Sequence, residues 1–280
     1  MRICLDGRMN ADASVVALGM FDGVHVGHQA LLKKARAEAD RLGVPMVVQT
    51  FTRHPLCLLA PAKCPPLLTT LEERIKLVEA LGADIFCAQP FTEMVRDQRP
   101  EEFVGYLVRQ WRPKTVVVGY NYSFGALGAG TPALLRELGR ALGFATAVLS
   151  PVRARGHVVS ATRIRETLEE GRPRKARLML GRPYAREMTL VMREGGRCVL
   201  KSTDNGKLSL PRGAYRAALV TGGKRYPVPA YANGDGKTVC RVPAELTLTD
   251  PLSLAYYAEL TYGGNGPTQT AAAYCRRRQP

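Results

Sequence analysis

The stretch Gly19-Met20-Phe21-Asp22-Gly23-Val24-His25-Val26-Gly27-His28 decides how this sequence is read. It joins an apolar run with strand character, Val15–Met20, to a segment in which Leu31, Ala35, Ala39 and Leu42 recur on one helical face until Gly43 and Pro45 stop it. Strand, glycine-bounded turn and helix form the unit from which parallel sheets are wound. In an open sheet of that kind, ligands bind beyond the carboxyl ends of the strands, where this turn falls. Gly23 and Gly27 let the backbone come close to a ligand, and a helix opening near His28 offers N–H groups and a positive dipole end to an anion.

His25 and His28 are three residues apart, so their imidazoles project to the same side of the first helical turn. An imidazole beside phosphates tends toward its charged form and donates to oxygens that gain charge during phosphoryl or nucleotidyl transfer. A donor held ready in this way contributes about 3 kcal/mol in the transition state. The competing reading is an H-x-x-H metal site, which needs a third ligand; Asp22 or a distant cysteine are the candidates. A plain surface pair is the remaining reading, but the chain has only four histidines, and two of them would have to fall by accident into this turn.

The same rhythm continues outward. Val44–Phe51 reads as a strand; Thr70 and Glu73 form a capping-box pattern before Ile75, Leu77, Val78 and Leu81; Gly82 ends that helix ahead of a strand at Asp84–Ala88. A helix is expected over Glu101–Trp111, a strand over Thr115–Gly119, a helix opened by Thr131-Pro132, a strand over Ala145–Leu149, then helices over Ser160–Glu170 and Arg174–Leu180. The pattern predicts an α/β fold, a Rossmann-like doubly wound parallel sheet. After about Arg186 helical periodicity gives way to runs rich in Val, Thr and Tyr, punctuated by Asn205-Gly206, Gly222-Gly223, Asn233-Gly234 and Asp235-Gly236, which is hairpin chemistry. Most of the tyrosines, Tyr262 and Tyr274 among them, lie in this tail region, and Arg276, Arg277 and Arg278 are expected to fray. The domains are therefore expected at 1–185 and 186–280, the second a small antiparallel β domain.

At 280 residues, 46% hydrophobic and 23% charged, the composition excludes a disordered, collagen-like or coiled-coil chain. The seven cysteines form no C-x-x-C pair, so neither a zinc knuckle nor a disulfide framework is expected, and the reading is of a reducing, cytoplasmic compartment. Asp6 and Asp12 interrupt any apolar h-region at the start, and no apolar run approaches the ~20 residues that span a bilayer, so no export and no membrane partner is expected. The net charge of +16 points to a polyanionic or phosphorylated partner. Arg153, Arg155, Arg163, Arg165, Arg172 and Arg174 crowd one segment, yet none of the usual RNA-reading aromatic motifs accompanies them.

The string FDGVHVGHQALL, Phe21–Leu32, with its H-x-G-H, resembles the nucleotidyltransferase superfamily that joins a phosphate-bearing acceptor to the α-phosphate of a nucleoside triphosphate. Further segments narrow the likeness: Thr50–Pro55, LTTLEERIKLVEALGAD at Leu68–Asp84, PEEFV at Pro100–Val104, VVVGYNYSFG at Val116–Gly125, VSATRIR at Val159–Arg165 and LGRPY at Leu180–Tyr184. In that order they are similar to the bacterial bifunctional riboflavin kinase/FAD synthetase family, over roughly residues 15–184. The resemblance implies transfer of AMP from ATP to FMN, giving FAD and pyrophosphate, with Mg²⁺ balancing the triphosphate charge. By resemblance, His25, His28 and Arg165 are catalytic; Gly19, Phe21, Asp22, Gly27, Asn121, Ser160, Thr162 and Arg163 join the histidines around ATP; and Thr50, His54, Pro55, Tyr122 and Phe124 form the flavin side. Tyr122 and Phe124 suit a flat isoalloxazine ring and suit a core equally well.

The chain departs from the family pattern in places. Ala161 stands where a second serine is usual, Arg53 where a proline precedes His-Pro, and Ala126-Leu127-Gly128-Ala129-Gly130 where an arginine and an acidic residue often follow. Between Arg186 and Pro280 no P-T-A-N motif of the riboflavin kinase barrel occurs, and only Leu210–Val220 faintly resembles a hairpin of that domain, so kinase activity is expected to be absent. Two other readings remain: a related nucleotidyltransferase acting on another phosphorylated acceptor, and a non-catalytic relative that binds nucleotide or RNA.

Overall fold

The computed structural model describes residues 1–6 and 9–260. Tyr262, Tyr274, Cys275 and the arginines expected to fray lie outside them. The chain divides into two compact units, one made of Met1–Pro65 and Leu71–Val159, the other of Pro66–Thr70 and Ser160–Pro280.

The first unit contains β1 (Arg2–Cys4), β2 (Ser14–Leu18), α1 (Val26–Leu42), β3 (Met46–Phe51), α2 (Leu56–Leu59), α3 (Leu71–Glu79), β4 (Ile85–Gln89), α4 (Glu93–Asp97), α5 (Pro100–Trp111), β5 (Pro113–Gly119), α6 (Pro132–Leu142), β6 (Ala145–Leu149) and a short pair, β7 (Arg153–Ala154) with β8 (His157–Val158). Six strands pair in the order β1-β4-β3-β2-β5-β6, all parallel, which is the expected Rossmann-like sheet. Every residue of β2 and of β4 is buried, the mark of strands covered on both faces. One apolar layer gathers Leu31, Leu32, Ala35 and Ala39 of α1 with Val48, Val78 and Phe86. The opposite layer gathers Phe103, Leu107 and Trp111 of α5 with Val16, Val118 and Leu135. Trp111, fully buried, donates its indole N–H to the Gln49 side chain at 2.7 Å, which satisfies a polar group in the middle of β3. Thr131 caps α6 by accepting from the Leu134 N–H at 3.2 Å, with Pro132 in the first turn, as the sequence predicts, and Gly143 is left-handed at the end.

The order of the strands places the site. From β2 the chain moves to β3 on one side and, after β4, returns to β5 on the other side of β2. The reversal opens a crevice at the carboxyl ends of β2 and β5. The Gly19–His28 turn leaves the first of these ends and Tyr120–Phe124 leaves the second.

One expectation is corrected here. Cys57 and Cys64 are joined in a disulfide, with Cα atoms 4.4 Å apart, because α2 and the 3-10 turn at Pro61–Lys63 fold the chain back on itself. The absence of a C-x-x-C spacing could not reveal this pairing, since the bond closes a longer loop. Cys4, Cys87, Cys198 and Cys240 are buried and take no part in a disulfide among the described residues. Strand β1 was not legible either: three residues are too few to show a period.

The second unit contains α7 (Ala161–Glu169), α8 (Pro173–Leu180) and six antiparallel strands, β9 (Tyr184–Glu194), β10 (Arg197–Ser202), β11 (Gly213–Thr221), β12 (Lys224–Ala232), β13 (Lys237–Arg241) and β14 (Leu252–Glu259), closed into a barrel. The predicted hairpin at Gly222-Gly223 joins β11 to β12, both glycines at positive φ as a two-residue turn requires. Buried between β9 and the loop that follows β10, the guanidinium of Arg186 pairs with Asp204 at 2.6 Å and donates to Ser209, while the ammonium of Lys207 donates to the Ala185 carbonyl. No helix among the described residues is long and apolar enough to cross a membrane.

Candidate active site

The backbone after β2 takes three unusual steps within four residues. Phe21 is left-handed at φ 52°, Gly23 has φ 76° and Val24 φ 38°. A β-branched residue at positive φ is strained by about 1–3 kcal/mol and persists only where its surroundings hold it. Here they do: the Phe21 ring and Val24 are buried, and the Gln29 side chain donates to the Val24 carbonyl at 2.9 Å. Gly19 lies under the Phe21 ring, where a Cβ would stand 3.0 Å from the ring tip.

His25 is the N-cap of α1, and its Nδ1 accepts the N–H of His28 at 3.2 Å. Since Nδ1 accepts, neutral His25 carries its proton on Nε2. His28 stacks on it with ring centroids 3.6 Å apart and planes 15° from parallel, and meets the edge of Phe21 at 5.2 Å. The pair thus stands together at the start of α1, as its spacing predicts. Nδ1 of His28 is buried and has no hydrogen-bond partner. Burial, then the neighbouring His25, then Arg74 hold the pKa of His28 well below the ordinary imidazole value. The ring is therefore neutral at pH 7 before an anion arrives, whereas the sequence reading considered the charged form natural beside phosphates; the difference is the charge of the ligand itself.

Beneath the turn Asp22 is 1% exposed and Arg74, from α3, is fully buried. One guanidinium nitrogen of Arg74 donates to the carbonyls of Met20 at 3.1 Å and Phe51 at 2.9 Å and lies 3.5 Å from the Thr50 hydroxyl. Thr50 itself donates to the Met20 carbonyl at 3.0 Å. Arg74 went unnoticed in the sequence. The available signal was a cation on the apolar stripe Leu71, Arg74, Ile75, Val78, spaced i, i+3, i+4, i+7.

On the flavin side of the sequence reading, His54 is half-buried and its Nδ1 accepts the Leu56 N–H at 3.2 Å, Pro55 precedes α2, and Arg53 is exposed. Phe124 is 6% exposed and packs against Phe103 at 5.4 Å, and Tyr122 stacks on it at 5.9 Å, so both rings border the core beneath the end of β5. Asn121 is exposed at that strand end. In the second unit Ser160 caps α7 by accepting from the Arg163 N–H at 3.2 Å, Thr162 and Arg163 are exposed, and Arg165 is buried with its Nε donating to the Pro66 carbonyl at 2.6 Å. No group of three or more His, Cys, Asp or Glu side chains able to hold a metal occurs among the described residues, so the structure shows no third ligand for the H-x-x-H reading.

Residues 8–163 match the family model described as FAD synthetase. A bifunctional riboflavin kinase/FMN adenylyltransferase of Listeria monocytogenes is 34% identical over 180 residues, which is 63% of this chain and 56% of that protein. One of Escherichia coli K12, with the same description, is 31% identical over 242 residues, 84% of this chain and 77% of that protein. The match thus spans little more than half the length of the first of these relatives. A crystal structure of a macrolide-efflux protein from Streptococcus pneumoniae superposes with a TM-score of 0.82 at 22% identity, covering 92% of this chain and 98% of that one; at such identity the likeness speaks for the fold alone.

Proposed function

Because the chain belongs to the FAD synthetase family, we propose that it is an FMN adenylyltransferase, moving AMP from ATP to the phosphate of FMN to give FAD and pyrophosphate. The observation that carries this reading is the stacked His25–His28 pair at the head of α1, set at the reversal point of a parallel sheet and inside the residues the family model matches.

An oxygen of the FMN phosphate attacks the α-phosphorus of ATP, the new P–O bond forms, and the bond to the β-phosphate oxygen breaks, releasing pyrophosphate. FMN brings its nucleophile ready-made, so the protein's work is positioning and charge stabilisation. His25 offers its Nε2–H, an orientation set by the cap bond at Nδ1. His28, neutral beforehand, gains a proton more readily once a triphosphate lies against it, and then donates from both nitrogens. The positive end of the α1 dipole adds to both. Mg²⁺ arriving with ATP would supply charge neutralisation to the triphosphate. Ser160, Thr162, Arg163, Arg165 and Asn121 remain nucleotide-binding candidates by resemblance, and Thr50, His54, Pro55, Tyr122 and Phe124 flavin-side candidates on the same ground.

For the barrel, we propose that it does not phosphorylate riboflavin. Support comes from the missing P-T-A-N segment and from the buried Arg186–Asp204–Lys207 ion network that ties β9 to the loop before β11. FMN is then supplied by a separate kinase reaction.

Purified full-length protein given ATP, Mg²⁺ and either FMN or riboflavin tests both statements. FAD and pyrophosphate are expected from FMN, and neither FMN nor FAD from riboflavin. Turnover of other phosphate monoesters in place of FMN moves the assignment to a different acceptor. His28→Ala is expected to lower turnover by about 10²-fold or more with the fold intact, and unchanged FAD formation in that variant refutes the role given to His28.

A further inference from the structure

Arg74 has no place in the roles described so far, and its surroundings are unusual for an arginine. It is 0% exposed, yet its Nε and Nη2 have no hydrogen-bond partner, although buried donors are nearly always paired. Asp22 in the turn and Glu72 on its own helix act on it electrostatically, opposing the effect of burial on its pKa. A buried guanidinium held this loosely is costly for stability, and an apolar side chain of similar length would fill the space at less cost. The one nitrogen that is bonded grips the backbone at two points, Met20 at the end of β2 and Phe51 at the end of β3, on the strands that flank the cradle.

We propose that Arg74 is a positioning residue for the nucleotide: it pins the start of the histidine turn to the end of β3 and places a fixed positive charge behind the imidazole pair. The proposal rests on the adenylyl-transfer reading and deepens it. The charge of Arg74 reaches the site, since after burial and the adjacent His25 it helps to hold down the pKa of His28. A charge felt by His28 is felt by any phosphate that His28 holds, with the opposite sign of energy. The arrangement therefore penalises a second positive charge on the empty cradle and favours an anion in it.

Arg74→Lys keeps the cation and loses the planar fork; Arg74→Met keeps length and loses the charge. Both are compared with wild type for folding by circular dichroism, for FAD formation with ATP and FMN varied separately, and for the pH midpoint of the His28 ring by NMR in the ligand-free protein, which has four histidines to assign. The expected result is a fall in kcat/KM for ATP of about tenfold in Arg74→Lys and about a hundredfold in Arg74→Met, with the KM for FMN changed less than about twofold. The His28 midpoint is expected to rise in Arg74→Met and to stay in place in Arg74→Lys. A purely structural arginine predicts lower melting temperatures with wild-type kinetics in the folded protein. That outcome, or an unmoved His28 midpoint in folded Arg74→Met, overturns the proposal. Should Arg74→Met fail to fold, the kinetics of Arg74→Lys decide: a selective loss toward ATP supports the proposal and wild-type values overturn it. If wild type itself forms no FAD, the adenylyl-transfer reading falls, and the His28 midpoint together with calorimetric binding of Mg-ATP still decides whether Arg74 acts on the cradle.

Discussion

Replacing Gly27 with alanine separates the cradle from the fold around it. Gly27 lies in the first turn of α1 with ordinary helical backbone, so no φ strain arises. An added Cβ would stand 3.1 Å from Cε1 and 3.2 Å from Nδ1 of His25, and 3.9 Å from Cβ of Val152. Only the first two contacts are too close, and both are on the ring that caps the helix. The ring has to yield by a few tenths of an ångström, which weakens its 3.2 Å bond from the His28 N–H and disturbs the 3.6 Å stack. Losing the cap costs about 1 kcal/mol, while alanine in place of glycine within a helix returns about as much. The two nearly cancel, and a residual 1 kcal/mol shifts the melting temperature of a chain this size by about 2–4 °C. Turnover has no such compensation. Misplacing a catalytic group by about 1 Å costs about 10²-fold, so a displacement of part of that distance is expected to lower kcat/KM for ATP by about 10-fold to 10²-fold, or about 1.4–2.7 kcal/mol. Scanning calorimetry and steady-state FAD formation on Gly27→Ala measure the two quantities. Full turnover with the melting temperature inside the stated range refutes the claim that the position of His25 matters; a collapse of stability refutes the claim that the contact is local.

Three further outcomes are expected. Because the folded pKa of His28 lies below that of the unfolded chain, the unfolded state binds the proton first as the pH drops, so this group's contribution to stability is intact above about pH 6.5 and is lost progressively below it; melting curves from pH 8 to pH 5 measure it, and His28→Ala should flatten that part of the profile. Ser160→Ala removes the acceptor of the Arg163 N–H and should destabilise by about 1 kcal/mol in urea unfolding, with Ser160→Asp restoring it. Gly130→Ala places a Cβ 2.6 Å from three atoms of the Phe124 ring and should cost about 1–3 kcal/mol in the same assay, and wild-type stability there means that the ring is not held as described.

The sheet was legible because its strands are short apolar runs punctuated by glycine and proline, and the histidine turn because it sits where a strand hands over to a helix. Residues that act through contacts distant in sequence were not. Arg74 reaches Met20 across 54 positions and Thr50 across 24, and although its place on an apolar helical stripe hints that it points inward, no local pattern names these partners. The Cys57–Cys64 bond depends on a 3-10 turn too short to show a period. Phe124 was balanced in the sequence between stacking on a ligand and filling the core; its burial against Phe103 depends on α5, which no pattern around Phe124 reveals. The neutral state of His28 is a sum of burial and two neighbouring charges, one of them on another helix, and no single segment contains it.

These observations meet in the backbone of the turn. Phe21 and Val24 occupy conformations that a free peptide avoids, and each is held by burial rather than by a covalent constraint. Hydrogen bonds hold the turn at three levels: Thr50 and Arg74 fix the Met20 carbonyl before it, Gln29 fixes the Val24 carbonyl within it, and His25 caps the helix after it. A turn strained and overdetermined in this way has little freedom left to lose when a triphosphate binds, so the ordering cost is met during folding and the donors stand in place before the charge develops. The same economy explains the neutral His28 ring: buried, stacked on His25 and facing the charge of Arg74, it resists protonation until an anion supplies the missing charge, which makes the cradle responsive to phosphate while it stays compatible with a stable empty state.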